Sequence, residues 1–119
     1  MAYKIQDNPF KVPTTDGKTI LEHFGCSTGN KEVSIAHMVA PSGWSEPFQN
    51  PQFDEFTLII EGKKLIEVDN EKIELSSGQS IEIKKGSRVR YSNPFPEPCI
   101  YVSVCIPAFS PELQSREEA

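Results

Sequence analysis

Turn-forming residues cut this chain into pieces too short for ordinary helices. Thr15-Asp16-Gly17, Thr28-Gly29-Asn30, Pro41-Ser42-Gly43, Gly62, Asp69-Asn70, Ser76-Ser77-Gly78, Lys85-Gly86 and Asn93-Pro94 all read as turns. The runs between them are rich in β-branched and aromatic residues: Thr19 to Phe24, Glu32 to Val39, Glu55 to Ile60, Lys64 to Val68, Lys72 to Leu75, Ser80 to Ile83, Val89 to Ser92 and Ile100 to Ile106. Several alternate with the strand period. Val33, Ile35, His37 and Val39 share one face, while Ser34, Ala36, Met38 and Ala40 share the other. Lys64 to Leu75 is expected to form a hairpin turning at Asp69-Asn70. No window carries the apolar stripe of an amphipathic helix, so the fold class is all-β, a sandwich or a barrel.

At 119 residues the chain fits one domain. Its net charge of -5, with 12 basic residues scattered among 17 acids, argues against nucleic acid as a partner. No apolar run is long enough for a membrane helix, and Met1 to Phe10 has no apolar signal core, so a cytoplasmic location is expected. Cys26, Cys99 and Cys105 are an odd number without C-x-x-C spacing, which suits three reduced, buried thiols. Pro94 to Pro98 reads as a loop. After Phe109 the tail turns polar, with one helical turn expected at Pro111-Glu112-Leu113 and a frayed end.

Two stretches have the spacing of a paired motif. In the first, Gly43 opens, Gln49 and Pro51 fall six and eight positions on, Glu55 follows, and Gly62 closes. In the second, Gly78 opens, Lys84 and Gly86 mark a turn, Val89 follows, and Asn93 closes. This framework resembles the two signatures of the cupins, and the closing string YVSVCIPAFSPE is similar to small single-domain members. Trp44-x-Glu46, Phe53-Asp54-Glu55 and the Gly86 turn also resemble the cupins of ethanolamine-utilisation operons. The resemblance implies a jelly-roll β-barrel, with a core over about 18–111, an N-terminal arm over 1–17 and a tail over 112–119. It also implies a metal site of three histidines and a glutamate inside the barrel. Here Gln49, Pro51 and Val89 occupy the histidine slots and only Glu55 remains. Proline and valine offer no donor and an amide oxygen is a weak one, so no cofactor is expected. A divalent transition metal stays open only through a non-standard set of His37, Gln49 and Glu55.

Strand parity extends the reading beyond the slots. If the ligand positions point inward, so do Gln49, Glu55, Thr57, Ile59, Val89 and Tyr91, while Phe56, Leu58 and Arg90 point outward. The outward apolar pair Phe56 and Leu58 suggests cover by a second copy, hence a homodimer. Glu55 has two readings: a general acid/base or ligand, or a glutamate hydrogen-bonded to Tyr91, Tyr101 or Gln49. Asp54 faces the opposite side from Glu55 and cannot share a proton with it. Trp44, in the loop at the barrel mouth, reads either as an aromatic rim that grips a ligand or as part of a packed loop. The expected function is small-molecule binding in the lumen, with a polar metabolite as partner and Gln49, Glu55, Tyr91, His37, Trp44 and Tyr101 as candidate contacts. The alternative is an enzyme, an isomerase, lyase or dioxygenase, using Glu55 with Gln49, Tyr91 and His37.

Overall fold

The computed structural model describes residues 2–117. In chain order the strands are β1 (Phe10–Lys11), β2 (Thr19–Phe24), β3 (Ser34–Ala40), β4 (Asp54–Glu61), β5 (Lys63–Val68), β6 (Glu71–Ser76), β7 (Ser80–Ile83), β8 (Val89–Ser92) and β9 (Cys99–Ile106), followed by a one-turn helix α1 (Pro111–Gln114). A six-stranded sheet, β1-β2-β3-β9-β4-β7, lies over a three-stranded sheet, β6-β5-β8. Every strand pair is antiparallel. All the strands expected from the turn punctuation are present, together with β1. That strand pairs Phe10 with Glu22 and Lys11 with Leu21, and at two residues it is too short to show a period.

Local chemistry sets the boundaries. β3 begins at Ser34, two residues later than expected, because the Asn30 side chain accepts the amides of Glu32 (2.9 Å) and Val33 (3.2 Å) and withholds them from the ladder. The β5–β6 hairpin turns through Asp69 and Asn70, both at positive φ (48° and 67°), the conformation a two-residue turn requires to match the strand twist. Gly62 joins β4 to β5 at φ 84°, and a Cβ there would collide with the Pro98 carbonyl oxygen. No other residue fits.

Alternation divides the sheet residues into a core and a shell. Ala40, Trp44, Ile59, Ile66, Leu75, Ile83, Val89, Tyr91, Cys99 and Tyr101 pack together between the sheets. Ile66 is wholly buried, and covering a side chain of that size stabilises the fold by about 1.5–3 kcal/mol. Phe56, Leu58, Ile60 and Ile106 stand exposed on the outer face of the large sheet.

One expectation is corrected. Cys26 is exposed in a 3-10 turn (Cys26–Thr28), whereas Cys99 and Cys105 are buried. The frayed end expected of the tail lies at 118 and 119, outside the described residues, and up to residue 117 the tail is held by hydrogen bonds. Ser110 caps α1, accepting from the Leu113 amide. Beyond α1 the chain runs back along 48–52, with hydrogen bonds from Gln52 N to Leu113 O (2.7 Å), Asn50 N to Ser115 O (3.1 Å) and Glu117 N to Phe48 O (2.8 Å). Arg88 holds the Glu117 carboxylate with two further bonds (2.6 and 2.9 Å). Residues 118 and 119 lie outside the described residues.

Candidate functional site

The lumen between the sheets is a cavity of about 660 Å³, the size of a metabolite site. Inward positions of β2, β3, β4, β5, β8 and β9 form its wall, and the arm and tail border its mouth. Of the six candidate contacts, Gln49, Glu55, Tyr91 and Tyr101 line it together.

His37 and Trp44 are not part of that wall. His37 lies opposite Leu21 on β2 and Val102 on β9, and it alternates with Ser34, Ala36 and Met38, which line the cavity. It therefore faces the outside of the sheet, and the proposed set of His37, Gln49 and Glu55 is not brought together. Trp44 is packed rather than presented. Its indole N–H donates to Asp16 Oδ2 (2.8 Å), and Lys18 Nζ sits 4.4 Å from its ring centroid.

Glu55 is held by hydrogen bonds inside the lumen, with Tyr91 the partner among those expected from the sequence. Tyr91 O–H donates to Oε1 (3.2 Å) and the Ser103 hydroxyl donates to Oε2. Its neighbour Asp54 instead accepts the Lys85 amide (2.9 Å) at the β7–β8 turn.

Besides Glu55, six charged residues line the lumen, Asp16, Lys18, Glu22, Glu46, Lys64 and Arg116, and none was a candidate contact in the sequence. Lys64 is 2 % exposed. Its Nζ lies 3.4 Å from the Tyr101 ring centroid and 4.3 Å from that of Tyr91. Among the described residues it makes no ion pair. Burial brings its pKa down from 10.5 to about 7, helped by Lys18 and opposed by the Glu55 and Glu46 carboxyls. Glu46, also buried, accepts from Gln49 Nε2 (3.3 Å) and Arg116 Nη2 (2.8 Å), with Lys18 Nζ at 4.0 Å. Burial raises its pKa, against the pull of Lys18, Arg116 and Lys64. Arg116 reaches this carboxylate because the tail pairs with Gln49. Burial likewise pushes the Tyr91 and Tyr101 phenols and the Cys105 thiol well above their ordinary values.

The donor set does not suit the family's metal. Pro51 and Val89 carry no ligand atom, the Glu55 oxygens are engaged by Tyr91 and Ser103, and a lysine amine occupies the same lumen. Among the described residues no three His, Cys, Asp or Glu side chains cluster as a metal site would. Two buried lumen atoms, Tyr101 Oη and Gln49 Oε1, have no hydrogen-bond partner among the described residues. Of the missed residues, Glu46 was signalled by the Trp-x-Glu element. Lys64 could be placed only through its pairing partner, and nothing in the sequence pointed to Arg116.

Comparison with known proteins supports this architecture. The polyketide cyclase RemF of Streptomyces resistomycificus is 14% identical with a TM-score of 0.76, covering 100% of this chain and 87% of that one. An ethanolamine utilisation protein of Salmonella typhimurium is 18% identical with a TM-score of 0.60, covering 77% and 71%. The Bacillus subtilis oxalate decarboxylase matches at 12% identity and a TM-score of 0.78, covering 93% and 31%. These likenesses establish the fold. In sequence, the endoribonuclease YbeY of Myxococcus xanthus is 42% identical over 107 residues, covering 89% of this chain and 36% of that protein. The chain thus spans about a third of the length of this curated relative. No helix among the described residues is long and apolar enough to cross a membrane. The family model for the cupin domain matches residues 36–105, more than half of the sequence, and the chain belongs to the cupin family.

Proposed function

We propose that this cupin binds a small polar metabolite in its lumen, with the Lys64 amine standing among the polar groups that would contact it. The observation that carries the reading is the pair of buried polar atoms, Tyr101 Oη and Gln49 Oε1, left without partners among the described residues in a cavity of metabolite size. Each orphaned atom costs about 1–3 kcal/mol, which a ligand with a matching donor or acceptor recovers. Lys64, Arg116, Glu46 and Glu55 favour a ligand that carries both donors and acceptors. RNA is not the ligand we propose, despite the activity named for the Myxococcus protein, because a net charge of -5 repels a polyphosphate backbone.

Glu55 with Tyr91 and Ser103 favours a second reading, an isomerase or lyase in which this carboxyl moves a proton on the bound ligand. A second copy covering Phe56, Leu58, Ile60 and Ile106 completes the proposal, as a cytoplasmic homodimer.

A thermal-shift screen of sugars, amino acids, carboxylates, carbonyl compounds and divalent metals tests the binding reading. A hit should vanish in Glu55→Gln while the fold is kept, because that change preserves volume and removes charge and basicity, and the Tyr91 or Ser103 hydroxyl can turn to accept from the new amide NH2. Unchanged affinity in a variant whose Tm falls by several degrees would restrict Glu55 to a structural role worth about 1–3 kcal/mol.

A further inference from the structure

Several lumen groups could attack an electrophile, and burial sorts them. Removing a side chain from water disfavours its charged form. For Cys105, Tyr91 and Tyr101 the charged form is the nucleophile, and burial pushes all three away from it. The Ser103 hydroxyl is committed to Glu55. An amine is different, because its uncharged form is the reactive one. With its pKa near 7, about half of Lys64 is free base at neutral pH. An ordinary lysine is about a thousandfold poorer in that form.

Geometry fixes the position of the amine. The faces of Tyr101 and Tyr91 hold Lys64 Nζ from the side, at 3.4 and 4.3 Å from their centroids. No carboxylate within ion-pair distance ties it up among the described residues. The unpartnered Tyr101 hydroxyl and Gln49 Oε1 belong to the same cavity wall. One can donate to a carbonyl oxygen, and the other can accept from the hydroxyl that replaces it. We infer that Lys64 forms a reversible imine with a small aldehyde or ketone entering the lumen, an inference that rests on the lumen's being a binding site.

The step balances without an oxidant or a reductant. The nitrogen lone pair bonds to the carbonyl carbon, the C=O π pair passes to oxygen, and a proton moves from nitrogen to that oxygen. The carbinolamine hydroxyl, protonated from solvent at the mouth of the cavity, then leaves as water as the nitrogen lone pair closes the C=N bond. The iminium nitrogen returns a proton to solvent, leaving a neutral C=N bond.

Reductive trapping tests this on the wild-type chain. Glycolaldehyde or glyoxylate is added at limiting concentration with cyanoborohydride, and the adducts are located by tandem mass spectrometry. Lys63 is the internal control: it is the adjacent residue, its side chain is 52% exposed, and a Lys63→Arg variant simplifies the fragment spectra. The expected result is modification of Lys64 ahead of Lys63 and the surface lysines, at a rate that levels off above pH 7 while theirs keeps rising. Labelling of Lys63 and the surface lysines with Lys64 last overturns the inference. If the same probes raise the melting temperature without labelling Lys64, the imine is rejected and the binding site stands. If they do neither, the imine is rejected and these compounds give the binding site no support.

Discussion

Lys64→Met keeps a long side chain of similar volume in the lumen and removes the amine. In the unfolded chain Lys64 titrates at the ordinary lysine value of 10.5; in the folded chain, burial brings it to about 7. Between those values the unfolded state holds a proton that the folded state has lost. Stability conferred on the wild type by this group therefore rises with pH, by up to about 1.4 kcal/mol per pH unit. Integrated from pH 7 to pH 9, the gain is about 2 kcal/mol. For a chain of this length that is about 8 °C in Tm. Cys99 and Cys105 act in the opposite direction near pH 9, because burial raises their pKa values above those of the unfolded thiols. Both proteins carry those thiols, so Cys105 cancels in the comparison, and Cys99 cancels except for the part of its shift that the Lys64 charge supplies. Urea denaturation of wild type and variant at pH 7, 8 and 9 measures the effect. The stability difference between them should shift by about 2 kcal/mol toward the wild type across that range. A difference that stays constant with pH would refute the claim that the folded lumen discharges Lys64.

Two further outcomes follow from the tail and the outer face. Arg116→Met removes one of the hydrogen bonds that hold buried Glu46. Because Arg116 is partly exposed and Lys18 remains, we expect a loss of about 1–2 kcal/mol, or roughly 4–8 °C in Tm; an unchanged melting curve would show that the tail contributes nothing to the lumen. The proposed homodimer should sediment at twice the chain mass, and Leu58→Lys should return it to monomer while leaving far-ultraviolet circular dichroism unaltered. A wild type that is monomeric at micromolar concentration removes that part of the proposal.

Much of the fold was legible because turns and strand alternation are local. Asp69-Asn70 announces its hairpin, Gly62 its turn, and period-2 alternation places Thr57, Ile59 and Val89 inside and Leu58 outside. Parity also brought Gln49, Glu55 and Tyr91 to one cavity. It could not say which face of β3 was inner. Ser34, Ala36 and Met38 look no more like a lumen wall than Ile35, His37 and Val39, and the register against β9 decided the matter by turning His37 outward. Lys64 was hidden for a similar reason. A lysine beside a turn reads as solvated, and Leu65 and Ile66 make either face of β5 a plausible core face. Only the pairing of Ile66 with Tyr91 on β8 shows that Ile66, and hence Lys64 two residues earlier, points into the barrel. Arg116 reaches Glu46 across 70 positions of chain. A contact at that separation depends on where the whole barrel places the two segments, because no local preference of either one encodes it.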